Sequence, residues 1–237
     1  MIREARVFAS DDLMTPAIAE ETLRIAQEAV AKRGRCSICL SGGSTPKALN
    51  EILARDYAAR MPWNQIHFFW GDERYVAHDN AHSNFRMATE SLFARLNVPE
   101  ENIHPMPTNY PDSDKAAREY ETELRRYFGA QPAFDLLFLG VGQEGHTASL
   151  FPGSPALHET ERWVVAAEVP ADPPARLTLT YPVLNRARNV FFLAVGSAKR
   201  GIIEAIRQDP EGPSSQYPAA RVNSPHTVWF VGQPAFQ

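Results

Sequence analysis

Short apolar runs alternate along this chain with longer segments of helical period, and that alternation restricts the fold more than any single motif. Strand-sized runs fall at 35–40, 66–70, 134–139 and 189–195, and further strands are expected at 163–168, 176–180 and 227–231. Between them, the dipeptide Thr15-Pro16 predicts a helix start, and Lys32, Arg33 and Gly34 its end, as the helix dipole and the C-terminal glycine preference require. Further helices are expected from Pro46 to about Ala58, from Ser83 to about Leu96, over 113–128, and from Ser197 to about Arg207. The alternation predicts an α/β protein: a doubly wound, mostly parallel, Rossmann-like sheet with helices on both faces. Neither a repeat nor a linker interrupts it, so residues 1–237 read as one domain. In such sheets ligands bind beyond the carboxyl ends of the strands, which directs attention to the loop after each strand.

Charge narrows the choice of ligand. Lys and Arg number 24 against 28 Asp and Glu, a net charge of -4. A dedicated nucleic-acid binder usually carries a basic excess, so no nucleic-acid partner is expected. No run approaches the length of a membrane span, so no membrane partner is expected either. The first residues, Met1-Ile2-Arg3-Glu4, place charge where a signal peptide needs an apolar core, and a cytoplasmic location is the expectation. Cys36 and Cys39 spell C-x-x-C, but within a strand residues three apart face opposite sides, so the pair reads as buried structure rather than a redox or zinc site.

Four loops carry candidate chemistry. Ser41-Gly42-Gly43-Ser44-Thr45-Pro46 follows a strand and opens a helix, the arrangement in which free N–H groups receive an anion, most often a phosphate; an ordinary tight turn is the other reading. Asp72-Glu73-Arg74 follows the next strand, and its arginine offers a planar fork for phosphate or carboxylate, unless the loop merely holds a solvated ion pair. Gly140-Val141-Gly142-Gln143-Glu144-Gly145-His146 places a histidine in a glycine-dense turn at a strand end, where neutral imidazole can take a proton from water. Gly196-Ser197-Ala198-Lys199-Arg200 puts cations at a helix start, against the dipole, a penalty that a bound anion would reverse.

Other patterns carry less. The literal G-x-G-x-x-G at 140–145 lacks the long helix of a nicotinamide site, because Pro152, Gly153 and Pro155 follow closely. His78 and His82 have zincin spacing, but Asp79 replaces the glutamate, and the segment is polar and loop-like. No metal and no organic cofactor is expected. Arg176 either enters the cleft or flanks a strand; its chemistry alone does not decide.

Taken together, the loops resemble the 6-phosphogluconolactonase family. The resemblance rests on Ser41-Gly42-Gly43-Ser44-Thr45-Pro46, Trp70-Gly71-Asp72-Glu73-Arg74, Ser83-Asn84, the run from Gly140 through Gly145-His146-Thr147-Ala148-Ser149-Leu150-Phe151-Pro152, Arg176-Leu177-Thr178-Leu179-Thr180, and Gly196 with Lys199. It spans nearly the whole chain. One departure is Glu144, where the family usually has Asp. The related glucosamine-6-phosphate deaminases share the first loop but carry an acidic residue in the segment that here ends at Pro152.

The resemblance implies hydrolysis of 6-phospho-D-glucono-1,5-lactone to 6-phosphogluconate, the second step of the oxidative pentose phosphate pathway. It implies His146 as general base, with Asp72 orienting Arg74 or a sugar hydroxyl. Arg74 and Lys199 would hold the phosphate, helped by Ser44, Thr45 and Arg176. Backbone N–H groups of Gly42, Gly43 or Gly145 would stabilise the oxyanion. The expected partner is a phosphorylated sugar lactone, bound by a monomer or weak homodimer. A deaminase or isomerase, or a non-catalytic sugar-phosphate binder, stands as the alternative.

Overall fold

The computed structural model describes residues 2, 4–196, 199–208 and 215–232. In chain order its principal elements are β1 (Glu4–Phe8), α1 (Asp11–Arg33), β2 (Cys36–Leu40), α2 (Ser44–Asp56), β3 (Ile66–Trp70), β4 (Asp72–Arg74), α3 (Asn84–Ser91), α4 (Ser113–Phe128), β5 (Leu136–Leu139), β6 (Val164–Glu168), β7 (Ala175–Leu179), α5 (Tyr181–Leu184), β8 (Asn189–Ala194), α6 (Arg200–Gln208) and β9 (His226–Gly232). Six strands pair in parallel in the order β1-β9-β8-β5-β2-β3. Every residue of β2 and β5 is buried, because these central strands are covered on both faces. Among the described residues no helix is long and apolar enough to cross a membrane.

Chain order sets the position of the site. From β2 the chain steps outward to β3, then returns past β2 to β5 on its other side. The loops leaving β2 and β5 therefore diverge, and a crevice opens between them at the carboxyl ends of the strands.

Four elements differ from the sequence expectation. β1 was not expected: it lies at an edge, and the exposed residues Glu4 to Val7 give no apolar run. α1 begins at Asp11 rather than at Thr15-Pro16, so Pro16 lies inside it; Asp11 and Asp12 complement the dipole in its first turn, and Gly34, at φ 72°, ends it by donating to the Val30 carbonyl at 2.8 Å. Residues 72–74 form β4 rather than a loop. β4 pairs antiparallel with β7, which pairs with β6 in a second, three-stranded sheet. The helix expected to reach Leu96 ends at Ser91 and gives way to a 3₁₀ turn at Phe93–Arg95. The expected helix start at Ser197 lies outside the described residues.

Cys36 and Cys39 are buried and free, and desolvation pushes both thiols up, consistent with packing rather than redox chemistry.

Candidate active site

The crevice is a cleft of about 300 Å³ that the loops after β2, β3, β5 and β8 all reach. The first wall is the turn into α2. Gly43 sits at φ 107°, a region that favours glycine, and a Cβ on Gly42 would lie 2.0 Å from Asn84 Oδ1. Lys47 is the first residue whose N–H returns to a carbonyl, that of Gly43 at 3.1 Å. The N–H groups of Ser44 and Thr45 precede it, at the positive end of the α2 dipole.

β4 builds the second wall. Alternation turns Glu73 inward while Asp72 and Arg74 reach the cleft. Glu73, 1% exposed, accepts from the N–H groups of Arg74 (2.7 Å), Asn84 and Phe85 (2.8 Å each) and from the Ser83 hydroxyl (3.1 Å). It fastens the start of α3. Desolvation nevertheless pushes its pKa up, against the pull of those N–H donors. Asp72 accepts from Ser149 Oγ at 2.7 Å and from the Asn84 amide, which also donates to the Asp72 carbonyl at 2.9 Å. Arg74 is held instead by the His82 carbonyl at 2.7 Å, and among the described residues its buried Nε has no hydrogen-bond partner. The expectation that Asp72 orients Arg74 therefore finds no hydrogen bond between them.

The third wall carries His146. The Gly142 N–H donates to the His146 carbonyl at 2.8 Å and the Gly145 N–H to the Gly142 carbonyl at 3.1 Å, closing a tight turn. A Cβ on Gly142 would meet His146 Nδ1 at 2.0 Å, so only glycine lets the backbone pass the ring. His146 Nδ1 lies 3.0 Å from Glu144 Oε1, and among the described residues Nε2 makes no hydrogen bond. Burial alone would raise the Glu144 carboxyl; its own backbone N–H, the hydrogen bond to His146, and the charges of His146 and Lys199 outweigh that and hold it low. Lys199, just before α6, reaches the cleft, while Arg200 pairs with Glu204 at 3.0 Å.

The structure thus gathers Gly42, Gly43, Ser44, Thr45, Asp72, Arg74, His146 and Lys199 around one cleft. Two expected members do not line it. The Gly145 amide is occupied by Gly142, and the residue packs against Tyr217. Arg176, 5% exposed, lies opposite Arg74 in the β4–β7 pairing. Desolvation and the neighbouring Arg74 charge lower its pKa, against the charges of Asp72, Glu73 and Asp172. Asn84 and Ser149 carry contacts that sequence reasoning did not assign. Their signals were present in the Ser83-Asn84 and His146–Phe151 motifs, but not their pairing with Asp72. His78 bonds the Met106 carbonyl, and among the described residues no group of three or more His, Cys, Asp or Glu side chains is arranged to hold a metal.

Fold and cleft together define a class: a doubly wound α/β protein with an imidazole and two cations at its topological switch point. A family model described as glucosamine-6-phosphate isomerases/6-phosphogluconolactonase matches residues 9–229. The chain belongs to that family. It is 46% identical over 219 residues to the 6-phosphogluconolactonase of Synechocystis sp., covering 90% of this chain and 88% of the relative. It is 35% identical to the 6-phosphogluconolactonase of Mycobacterium tuberculosis, covering 99% and 98%. The crystal structure of 6-phosphogluconolactonase from Thermotoga maritima superposes with a TM-score of 0.84 at 33% identity, covering 97% of this chain and 99% of that one.

Proposed function

We propose that this chain hydrolyses 6-phospho-D-glucono-1,5-lactone to 6-phosphogluconate, the second step of the oxidative pentose phosphate pathway. The observation that carries the reading is that His146, backed at Nδ1 by Glu144, shares its cleft with Arg74 and Lys199. The cations hold the substrate phosphate with the amides of Ser44 and Thr45, which places the lactone against the imidazole.

His146 Nε2 takes a proton from water as the water oxygen bonds to the lactone carbonyl carbon. Charge develops on the carbonyl oxygen. Because the Gly145 amide is occupied, the N–H groups of Gly42 and Gly43 are the donors proposed for it. The bond from that carbon to the ring oxygen then breaks, and the ring oxygen takes the proton back from the imidazolium. The product acid ionises in water. An activated ester asks only for a base and oxyanion support, and every group invoked comes from one chain, so a monomer suffices.

The test is hydrolysis of freshly generated lactone, read by coupling product to 6-phosphogluconate dehydrogenase with the spontaneous rate subtracted. Acceleration is expected to fall about 10²–10⁴-fold in His146→Ala at little changed KM. Arg74→Ala is expected to raise KM strongly. A folded His146→Ala protein with wild-type kcat would overturn the base assignment. Wild-type protein without acceleration would overturn the whole reading; ammonia release from glucosamine 6-phosphate would then identify a deaminase.

A further inference from the structure

The segment after His146 doubles back on itself. Thr147 and Leu150 exchange backbone hydrogen bonds, Leu150 N–H to the Thr147 carbonyl at 2.9 Å and the reverse at 3.3 Å. At the tip Ala148 adopts φ 47°, a left-handed conformation that costs a non-glycine residue energy. Thr147 Oγ1 to the Gly140 carbonyl (2.8 Å) and the Ser149 N–H to Thr178 Oγ1 (3.2 Å) hold the reversal in place. Its outcome is a contact that sequence spacing does not announce. Phe151 returns over His146, ring centroids 4.0 Å apart and planes inclined by only 16°. Phe151 is 6% exposed, so its own packing fixes it.

We propose that Phe151 is a positioning residue for His146, its ring holding the imidazole plane so that Nε2 faces the water it deprotonates and presenting a π face to the cation that results. The proposal rests on the reading of His146 as base. Three constraints act on the imidazole together: Glu144 at Nδ1, the Gly142 backbone against the same edge, and Phe151 over the face. Glu144 fixes the ring at Nδ1; the stack opposes tilting of the ring plane. The electron-rich face of Phe151 also attracts the imidazolium formed in the step. The charged groups facing the imidazole are Glu144 at its edge and Asp72, Arg74 and Lys199 around the cleft, none of which touches the stacked face in the way Phe151 does.

The test compares Phe151→Leu and Phe151→Tyr with wild type and His146→Ala in the full chain, by lactone hydrolysis across the acid limb of the pH–rate profile. Phe151→Leu keeps an apolar filling but no π face. It is expected to lower kcat about tenfold with KM within about twofold, and to move the acid limb to lower pH, because the imidazolium loses its stabilising face. Phe151→Tyr keeps the stack and is expected to stay within about threefold of wild type. A purely structural role would lower the melting temperature and leave the acid limb in place. If Phe151→Leu does not fold, Phe151→Met, similar in volume, is judged by the same criteria. Wild-type kcat and acid limb in Phe151→Leu, with His146→Ala inactive, would overturn the proposal alone. An active His146→Ala would overturn the base reading and this proposal with it.

Discussion

The Ser149 hydroxyl donates to the Asp72 carboxylate across 2.7 Å, joining the loop after β5 to the strand that follows β3. Two walls of the cleft are thereby held at one separation. In Ser149→Ala the carboxylate keeps only its longer contact with Asn84. The expected result is a fall in kcat/KM of about tenfold with the melting temperature within about 3 °C of wild type, checked by steady-state kinetics and calorimetry on the same sample.

Glu144 titrates below the usual carboxylate range, chiefly against the opposition of burial. It therefore stays ionised as the pH falls from neutral to near its ordinary 4.5. Activity lost on mild acidification is therefore not due to protonation of Glu144. Glu144→Gln keeps the side chain's length and removes its charge. It is expected to lower kcat about 10–100-fold and to move the acid limb to lower pH, since the imidazolium loses its counter-charge. A pH–rate profile of the variant checks both.

Glu73 accepts four hydrogen bonds at the start of α3. Glu73→Ala leaves buried donors on Ser83 and Asn84, and the part-buried N–H of Phe85, without this acceptor. A loss of about 3 kcal/mol is expected, or about 6–12 °C in melting temperature, measured by thermal unfolding. Activity is expected to fall as well, because the same donors place Asn84 beside Asp72 and Gly42.

Far from the cleft, His67 stacks on His104, its Nδ1 3.1 Å from His104 Nε2, while His104 Nδ1 faces Glu123 at 2.7 Å. Burial, and then the neighbouring His104, lower the His67 pKa from 6.5 to about 4. The unfolded chain binds this proton more readily than the native one, so stability is full above pH 6.5 and is lost as the pH falls toward about 4. Discounted for partial exposure, the loss is about 1 kcal/mol. Denaturant unfolding at neutral and acid pH checks it, with His67→Gln expected to flatten the slope.

Much of the fold is legible because the inner strands are apolar runs that only a covered parallel sheet can bury. β1 escapes that reading: Glu4 and Arg6 at a solvent-facing edge carry no period. β4 escapes it because three charged residues look like a loop until β7 arrives from far along the chain to pair with them. At the cleft, the rule that ligands meet strand carboxyl ends points to all four loops. It does not say which side of a strand Arg176 takes: register with Arg74 puts both on one face of the β4–β7 pair, yet Arg176 is buried and does not line the cleft. Nor does it reveal that the Gly145 amide is taken by its own turn. Asn84 and Ser149 are missed for one reason: each acts through a side-chain pair between distant segments, which spacing within one loop cannot express.

The three residues of β4 behave as a parity device. Pairing with β7 forces Asp72 and Arg74 to one side and Glu73 to the other. A single residue inserted after Gly71 that shifted β4 by one place along β7 would exchange the two sides, turning the helix-fastening carboxylate toward the ligand and driving a guanidinium into the interior. Substitutions at these positions can be graded, but a change in chain length between Trp70 and Asp72 cannot. The short segment joining the two sheets is thus open to drift in residue type and closed to drift in length.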